Sequence, residues 1–380
     1  MAIVLSSWTW RRRRRSIYPL LATLVLLQVL PECAAWSLFP RISLPKRLSV
    51  RGFDRTYYGL SQNNTIPDPL EVAAIVGVRP CMMAPKLVWK LAWRGHGALL
   101  PLLHVGDGAK PRDSKQSLKV LWCKAIASMD KTSKVFDDKW TYDTLPRGSR
   151  WLLRILPTRW FPRLHHANIE ARTAYLDQIV QGEIMDRVRQ PDNAIQNIRL
   201  ISVGAGYDVR CSRLLSQYYA DHDTIQMTAY ECDLDHVVQS KQKILDRIQR
   251  RRPQSRHPTL ISMDLNDLNG TVTQTLQEII LQDGGNNNNN NKQSTHTIFI
   301  SEGVMIYLNQ GVPSGLLQLC SETAIQAGST ASFCFADRLE NVPGGDREAA
   351  ILELSRNGWE LIDFCPKPGL ARHMGLARLL

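Results

Sequence analysis

Residues 201–214 read ISVGAGYDVRCSRL, from Ile201 to Leu214. The apolar run Ile198–Val203 has the length of a buried strand. Gly204 and Gly206 follow it immediately, and the segment from Tyr207 then reads as a helix. Outward from this point the pattern repeats. TIQMTAYECD, PTLISMD, HTIFISEG, STASFCFAD and WELIDF read as further strands. Between them, DHVVQSKQKILDRIQRR, LNGTVTQTLQEIILQ, VPSGLLQLCSETAIQ and DREAAILELSRNG read as helices. Such alternation predicts an α/β fold: a Rossmann-like, mostly parallel, doubly wound sheet with helices on both faces. WELIDF is expected to be its last strand.

Ligands of such sheets bind at the carboxyl ends of the strands. The glycines after the first strand permit positive φ and a close backbone approach. A dinucleotide fingerprint would continue to a third small residue, G-x-G-x-x-G/A. Here that position is Val209. Its bulk opposes the helix–strand packing that seats a pyrophosphate, so the loop suits a ligand without one. S-adenosylmethionine (SAM), an adenosine with a charged amino-acid end, fits. The second strand ends in Glu231 and Asp233, placed for ribose hydroxyls. The third ends in Met263-Asp264-Leu265, placed for adenine, and the fourth in Ser301-Glu302-Gly303. One such acid is an ordinary loop residue or cap; acids at three successive strand ends are a pattern.

These motifs together resemble the leucine carboxyl methyltransferase family of class I SAM-dependent methyltransferases, from about Leu118 to Leu308 and more loosely beyond. KVFDDKW resembles the family's acidic-aromatic segment, and EARTAYLDQIV its Arg-bearing helix. SVGAGYDVRCSRL matches LGAG-x-D-x-R-x-x-R-L. YECDLDHVVQSK, with Lys241, matches the second-strand segment, and ISMDL and IFISEGVMIYL match the third and fourth strands. The resemblance implies that Arg172 pairs with the cofactor carboxylate. It implies that Gly204 and Gly206 line the methionine moiety, with Asp208 beside them. Asp233 would hold the ribose, with Glu231 next to it, Asp264 and Leu265 the adenine, and Glu302 would sit near the cofactor amino end. Arg210 and Tyr307 are the substrate-side candidates; the alternatives are structural ion pairs for Arg210 and plain packing for Tyr307.

Methyl transfer from a sulfonium is an in-line displacement. A carboxylate acceptor is ionised at neutral pH and needs no general base. The sequence shows no Ser-His-Asp constellation, no zinc-ligand spacing and no Asn/Asp-Pro-Pro-Tyr run of the kind that serves amino-group methylators of bases. An O-methyltransferase acting on a carboxylate, of a small molecule or a protein C-terminus, is therefore expected. The family's best-known activity methylates the C-terminal leucine carboxylate of type-2A protein phosphatases. A small-molecule acceptor and a catalytically silent cofactor-binding scaffold are the alternatives.

The net charge of +12 is concentrated at the start. Residues 1–55 hold ten Lys/Arg against two acids. A nucleic-acid partner is accordingly not expected. Arg11 to Arg15, the apolar Ile17–Leu30 and Cys33-Ala34-Ala35 have the three parts of a secretory signal over 1–35. Residues 36–70 are acid-free as far as Phe53, basic and Ser-bearing, which is transit-peptide composition. Ala35-Trp36…Pro40 resembles the junction that opens bipartite presequences for complex plastids of algae, with Trp for the usual Phe. Plastid delivery through the ER is expected, with secretory residence as the alternative. Residues 71–165 read as a helical extension and 166–380 as the methyltransferase domain. The apolar, Trp-bearing segment 71–112 is a candidate membrane-surface contact, and a monomer is expected. GGNNNNNNKQS, within 284–296, reads as a disordered surface insertion. Of eight cysteines none forms a C-x-x-C pair, and Cys211, Cys232, Cys320 and Cys334 are expected to be reduced and buried.

Overall fold

A computed structural model describes residues 112–129, 139–145, 147–155, 163–189, 195–221, 226–282, 294–366 and 373–380. The leader over 1–35, the transit-like segment 36–70, the segment 71–111 and residues 284–293 of the Asn-rich insertion lie outside the described residues. The strand expected at His296 begins at Ser294.

Among the described residues, four helices precede the sheet: α1 (Arg112–Met129), α2 (Lys139–Thr144), α3 (Arg147–Ile155) and α4 (Arg163–Val188). In α1 the buried residues Leu118, Leu121, Trp122, Ala125 and Ile126 recur at three- and four-residue spacing, which makes one apolar stripe. The stripe packs against Tyr207, Val209 and the apolar side of α6 (Asp235–Arg251), where Val237, Ile244, Leu245 and Ile248 share a face. α1 thus lies against the sheet domain rather than apart from it.

The sheet holds β1 (Ile195–Val203), β2 (Gln226–Asp233), β3 (Thr259–Ser262), β4 (Ser294–Glu302), β5 (Thr330–Asp337), β6 (Trp359–Phe364) and β7 (His373–Leu379). Its spatial order is β3-β2-β1-β4-β5-β7-β6. The first five strands pair in parallel; β7 runs antiparallel to both β5 and β6. The connecting helices are α5 (Arg210–Asp221), α6, α7 (Thr273–Gln282), α8 (Val312–Gln326) and α9 (Arg347–Arg356).

Ile298, Phe299 and Ile300 of β4 are all buried, because helices cover both faces of a central parallel strand. Ile298 and Ile300 meet Leu176, Val180 and Ile184 of α4. Phe299 meets Phe333 and Trp359 on the other face. Cys211, Cys232, Cys320 and Cys334 are buried free thiols, and burial pushes the Cys232 thiol up to about 12.

The sheet does not end at WELIDF: β7 is inserted between β5 and β6. Its sequence, HMGLARL, weakens its own strand signal with a central glycine. Packing requires that glycine, since a Cβ at Gly375 would lie 2.5 Å from Phe335 and 2.6 Å from the Asp363 carbonyl oxygen.

Candidate functional site

A cleft opens at the carboxyl ends of β1, β2, β3 and β4, where a doubly wound sheet places its ligand. Arg172, Gly204, Gly206, Asp208, Asp233, Asp264, Leu265, Glu302 and Tyr307 all line it. Glu231 and Arg210 do not.

The loop after β1 forms the floor. Gly204 and Gly206 have φ of +64° and +53°, a region where side chains are strained. A Cβ on Gly204 would also lie 2.2 Å from Val304, so the glycine keeps floor and opposite wall apart. The Gly206 N–H donates to Asp233 at 2.6 Å, and the Leu234 N–H donates to the other oxygen at 2.8 Å. Burial pushes the Asp233 carboxyl up, against those two N–H groups. Asp208 accepts from the backbone N–H groups of Val209 (2.7 Å) and Arg210 (3.2 Å) and so caps α5.

Glu302, at the tip of β4, collects cations from three helices. Arg172 of α4 donates to Oε1 at 2.9 Å, beside the Thr173 hydroxyl at 3.1 Å. Lys124 of α1 and Arg210 of α5 reach Oε2 at 3.0 and 2.8 Å. Burial alone would raise this carboxyl; Lys124, Arg210 and Arg172 together hold it well below the ordinary range. Asp208 is likewise opposed by burial and lowered by Arg210 and Lys124, which lie 2.7 and 3.3 Å away. Glu302 and Asp208 therefore stay ionised at neutral pH.

Two expectations are corrected by position. Glu231 lies one pleat below Asp233, beneath α6. There it pairs with buried Lys241 at 2.7 Å, and burial, against Lys241, raises its carboxyl. Lys241 therefore serves the sheet's interior. Arg210 is 3% exposed and spends its guanidinium on Asp177, Asp208 and Glu302, the structural ion pairs left open above. Tyr307 is half exposed at the rim, on the 3₁₀ turn Met305–Tyr307.

The sequence reading missed three residues. Lys124 lies 178 residues from its partner Glu302, although a lysine inside the apolar run VLWCKAIA is itself a signal. Asp337, at the end of β5, accepts from the Val304 N–H at 2.7 Å and the Met305 N–H at 3.0 Å, and so fixes the turn that carries Tyr307. Asn266 accepts the Asn309 N–H at 2.9 Å and ties the rim shut beside Asp264.

The donor set fits SAM. Met263, Leu265 and Leu308 offer apolar contact for a base, and Asp233 offers an acceptor at the strand tip for ribose hydroxyls. Lys124 and Arg172 can meet a carboxylate. Four lining carboxylates (Asp208, Asp233, Asp264, Glu302) outnumber those two cations, an electrostatic match for a ligand of net positive charge.

This sheet order and this cleft define a class I methyltransferase of Rossmann-like fold. The family model for leucine carboxyl methyltransferase matches residues 117–320, more than half of the sequence, and the chain belongs to that family. It is a SAM-dependent methyltransferase. No curated protein sequence matches the chain. Among solved structures it is similar to magnesium protoporphyrin IX methyltransferase from Synechocystis PCC 6803 with bound SAM: 14% identity, 72% of this chain and 99% of that one, TM-score 0.33. It is also similar to LepI in complex with SAM: 10% identity, 97% and 99%, TM-score 0.33.

Proposed function

We propose that the chain methylates a carboxylate oxygen, on a small molecule or a protein C-terminus. One observation carries this reading. Among the described residues the cleft lining holds no histidine, and its carboxylates are each held: Glu302 and Asp208 by cations, Asp233 and Asp264 by backbone N–H groups. An acceptor that must lose a proton would find none of these described carboxylates free to take it. A carboxylate arrives already ionised.

SAM supplies the electrophilic methyl group. Arg172, with Lys124 beside it, would hold the cofactor carboxylate, and Glu302 would face the ammonium. Gly204 and Gly206 would admit the methionine chain, Asp233 would accept from the ribose, and Asp264 and Leu265 would border the adenine. Tyr307, with Leu308 beside it, borders the acceptor at the rim. The chain's contribution is to hold the oxygen in line with the methyl carbon and exclude water. Neither task needs a proton carrier.

The test is transfer of labelled methyl from SAM to leucine-terminated peptides and to small carboxylates, followed by mild alkali. A methyl ester releases its label as methanol. Label that survives alkali sits on an ether or nitrogen and overturns the carboxylate assignment. Plastid delivery through 1–70 is proposed separately; a fluorescent fusion of those residues that stays in the ER removes it.

A further inference from the structure

At the far end of α6 the surface changes character. α3 presents Arg147, Arg150, Trp151 and Arg154 at three- and four-residue spacing, hence on one face, while Ser149 and Leu153 on the other face are buried. Arg147, Trp151 and Arg154 are exposed, Trp151 to 65%. Beside α3 lies the last turn of α6, with Arg247, Arg250 and Arg251, followed by Arg252. The two elements are tied through α2. Arg247 donates to the Thr144 carbonyl at 2.9 Å, Arg251 to the Asp143 carbonyl, and Arg252 to the Asp143 carboxylate at 2.9 Å. Arg150 reaches the same carboxylate at 3.8 Å.

Among the described residues, Asp143 and, one turn back on α6, Asp246 are the acids that stand against these guanidinium groups. The imbalance registers in the side chains themselves. Burial, then Arg251 and Arg250, lowers the Arg247 guanidinium; burial, then Arg150, lowers Arg251 despite Asp143. The sequence continues the theme: no acid occurs between Asp143 and Glu170. A folded surface that keeps like charges together in this way is matched to an anionic counter-surface.

The aromatic residues decide which. Arg252 covers the face of Trp140 at 4.7 Å, and Arg150 and Arg154 lie over Tyr142 at 5.8 and 5.9 Å. Those faces are taken by the protein's own cations. Among the described residues, Trp151 is the aromatic that projects among the arginines on the outer side of a helix. One projecting indole flanked by cations is the composition of an interfacial anchor. A single-stranded nucleic acid would use several stacking faces.

We propose that the α3/α6 face docks this enzyme on an anionic lipid bilayer, with the arginines on headgroup phosphates and Trp151 at the interface. α6 starts beside the cleft, at Asp235, and its 17 residues carry the basic face about 25 Å away. Docking there leaves the cleft open.

The test is hydrogen exchange of the full chain with vesicles of phosphatidylcholine alone and of phosphatidylcholine mixed with phosphatidylglycerol. Exchange over 147–155 and 247–252 should slow on the mixed vesicles only. The slowing should be lost in R147E/R250E and reduced in W151A, while SAM affinity is retained in both. The readout is local, so association through the arginine-rich leader does not mimic it. Binding to mixed vesicles with unchanged exchange at these segments overturns the proposal. So does slowing by an RNA oligonucleotide but not by vesicles, which reassigns the face to nucleic acid. Slowing that persists in R147E/R250E overturns it as well.

Discussion

One helix, α4, carries two buried charge clusters of opposite character. Toward its start, Arg172, Thr173 and Asp177 join Lys124, Asp208, Arg210 and Glu302 at the cleft. Eleven residues further along, about 16 Å, Glu183 meets Arg378 of β7 at 2.6 Å, the Ser332 hydroxyl, and His296 at 3.8 Å. This second cluster sits at the starting ends of β4 and β5, away from the ligand. Both consist of carboxylates and cations under the same sheet. At the cleft, three cations converge on one carboxylate beside open space, so an incoming anion can claim a share of them. At the other end the Glu183 oxygens are matched by the Ser332 hydroxyl and the Arg378 guanidinium, and Glu183 itself is buried. The charges are alike; whether a ligand can reach them separates a binding site from a fastening.

Removing the fastening should cost the most. Glu183→Ala leaves Arg378 and Ser332 without their acceptor and should lower stability by about 3 kcal/mol in urea melts, with SAM affinity unchanged. Arg172→Ala should do the reverse, weakening SAM binding about 100-fold, or about 2.7 kcal/mol, by calorimetry, with the fold retained. The double variant should show the two effects added. If Glu183→Ala weakens SAM binding as much as Arg172→Ala does, α4 transmits between the clusters and the contrast drawn above fails.

Acid should separate the clusters next. Burial, assisted by Arg187, lowers buried His296 to about 3, against the opposing pull of Glu183, and its ring bonds Thr330 and Ser332. The unfolded chain takes up that proton near pH 6.5, the folded chain only near 3. The unfolded state therefore binds more protons in between. Stability is complete above 6.5 and falls with pH by about 1.4 kcal/mol per unit within this window. His296→Gln should flatten that slope between pH 6.5 and 4.5. Glu302 and Asp208 at the cleft, held low by their cations, should respond only at lower pH. The smallest effect is expected for Arg213→Ala. Its pair with Asp177 at 2.5 Å is partly solvated, and its loss should cost about 1 kcal/mol or less.

The five parallel strands were legible because a buried strand between helices is a bare apolar run, as in Ile298–Phe299–Ile300. The cleft was legible where chemistry sits at strand tips: Gly204, Asp233, Asp264, Glu302. Glu231 misled, because strand periodicity fixes the side of the sheet and says nothing about depth. One pleat separates an acid at the cleft from one beneath α6. Lys124 stood out in its apolar run, but its role was hidden because its partner is brought to it only by the packing of α1. β7 was hidden because its central glycine answers to Phe335 across the sheet, a neighbour that local sequence does not display.

The position of β7 also sets an order of assembly. β6 borders β7 alone, so β6 is made before the strand it pairs with. Until His373–Leu379 follows, β5 is an uncovered edge of alternating phenylalanine, Phe333 and Phe335, and β6 is a loose segment ending in Phe364. The growing protein thus passes through a stage with two sticky margins exposed. A chaperone that shields them, or a synthesis rate that shortens the interval, would govern how much of the chain escapes aggregation.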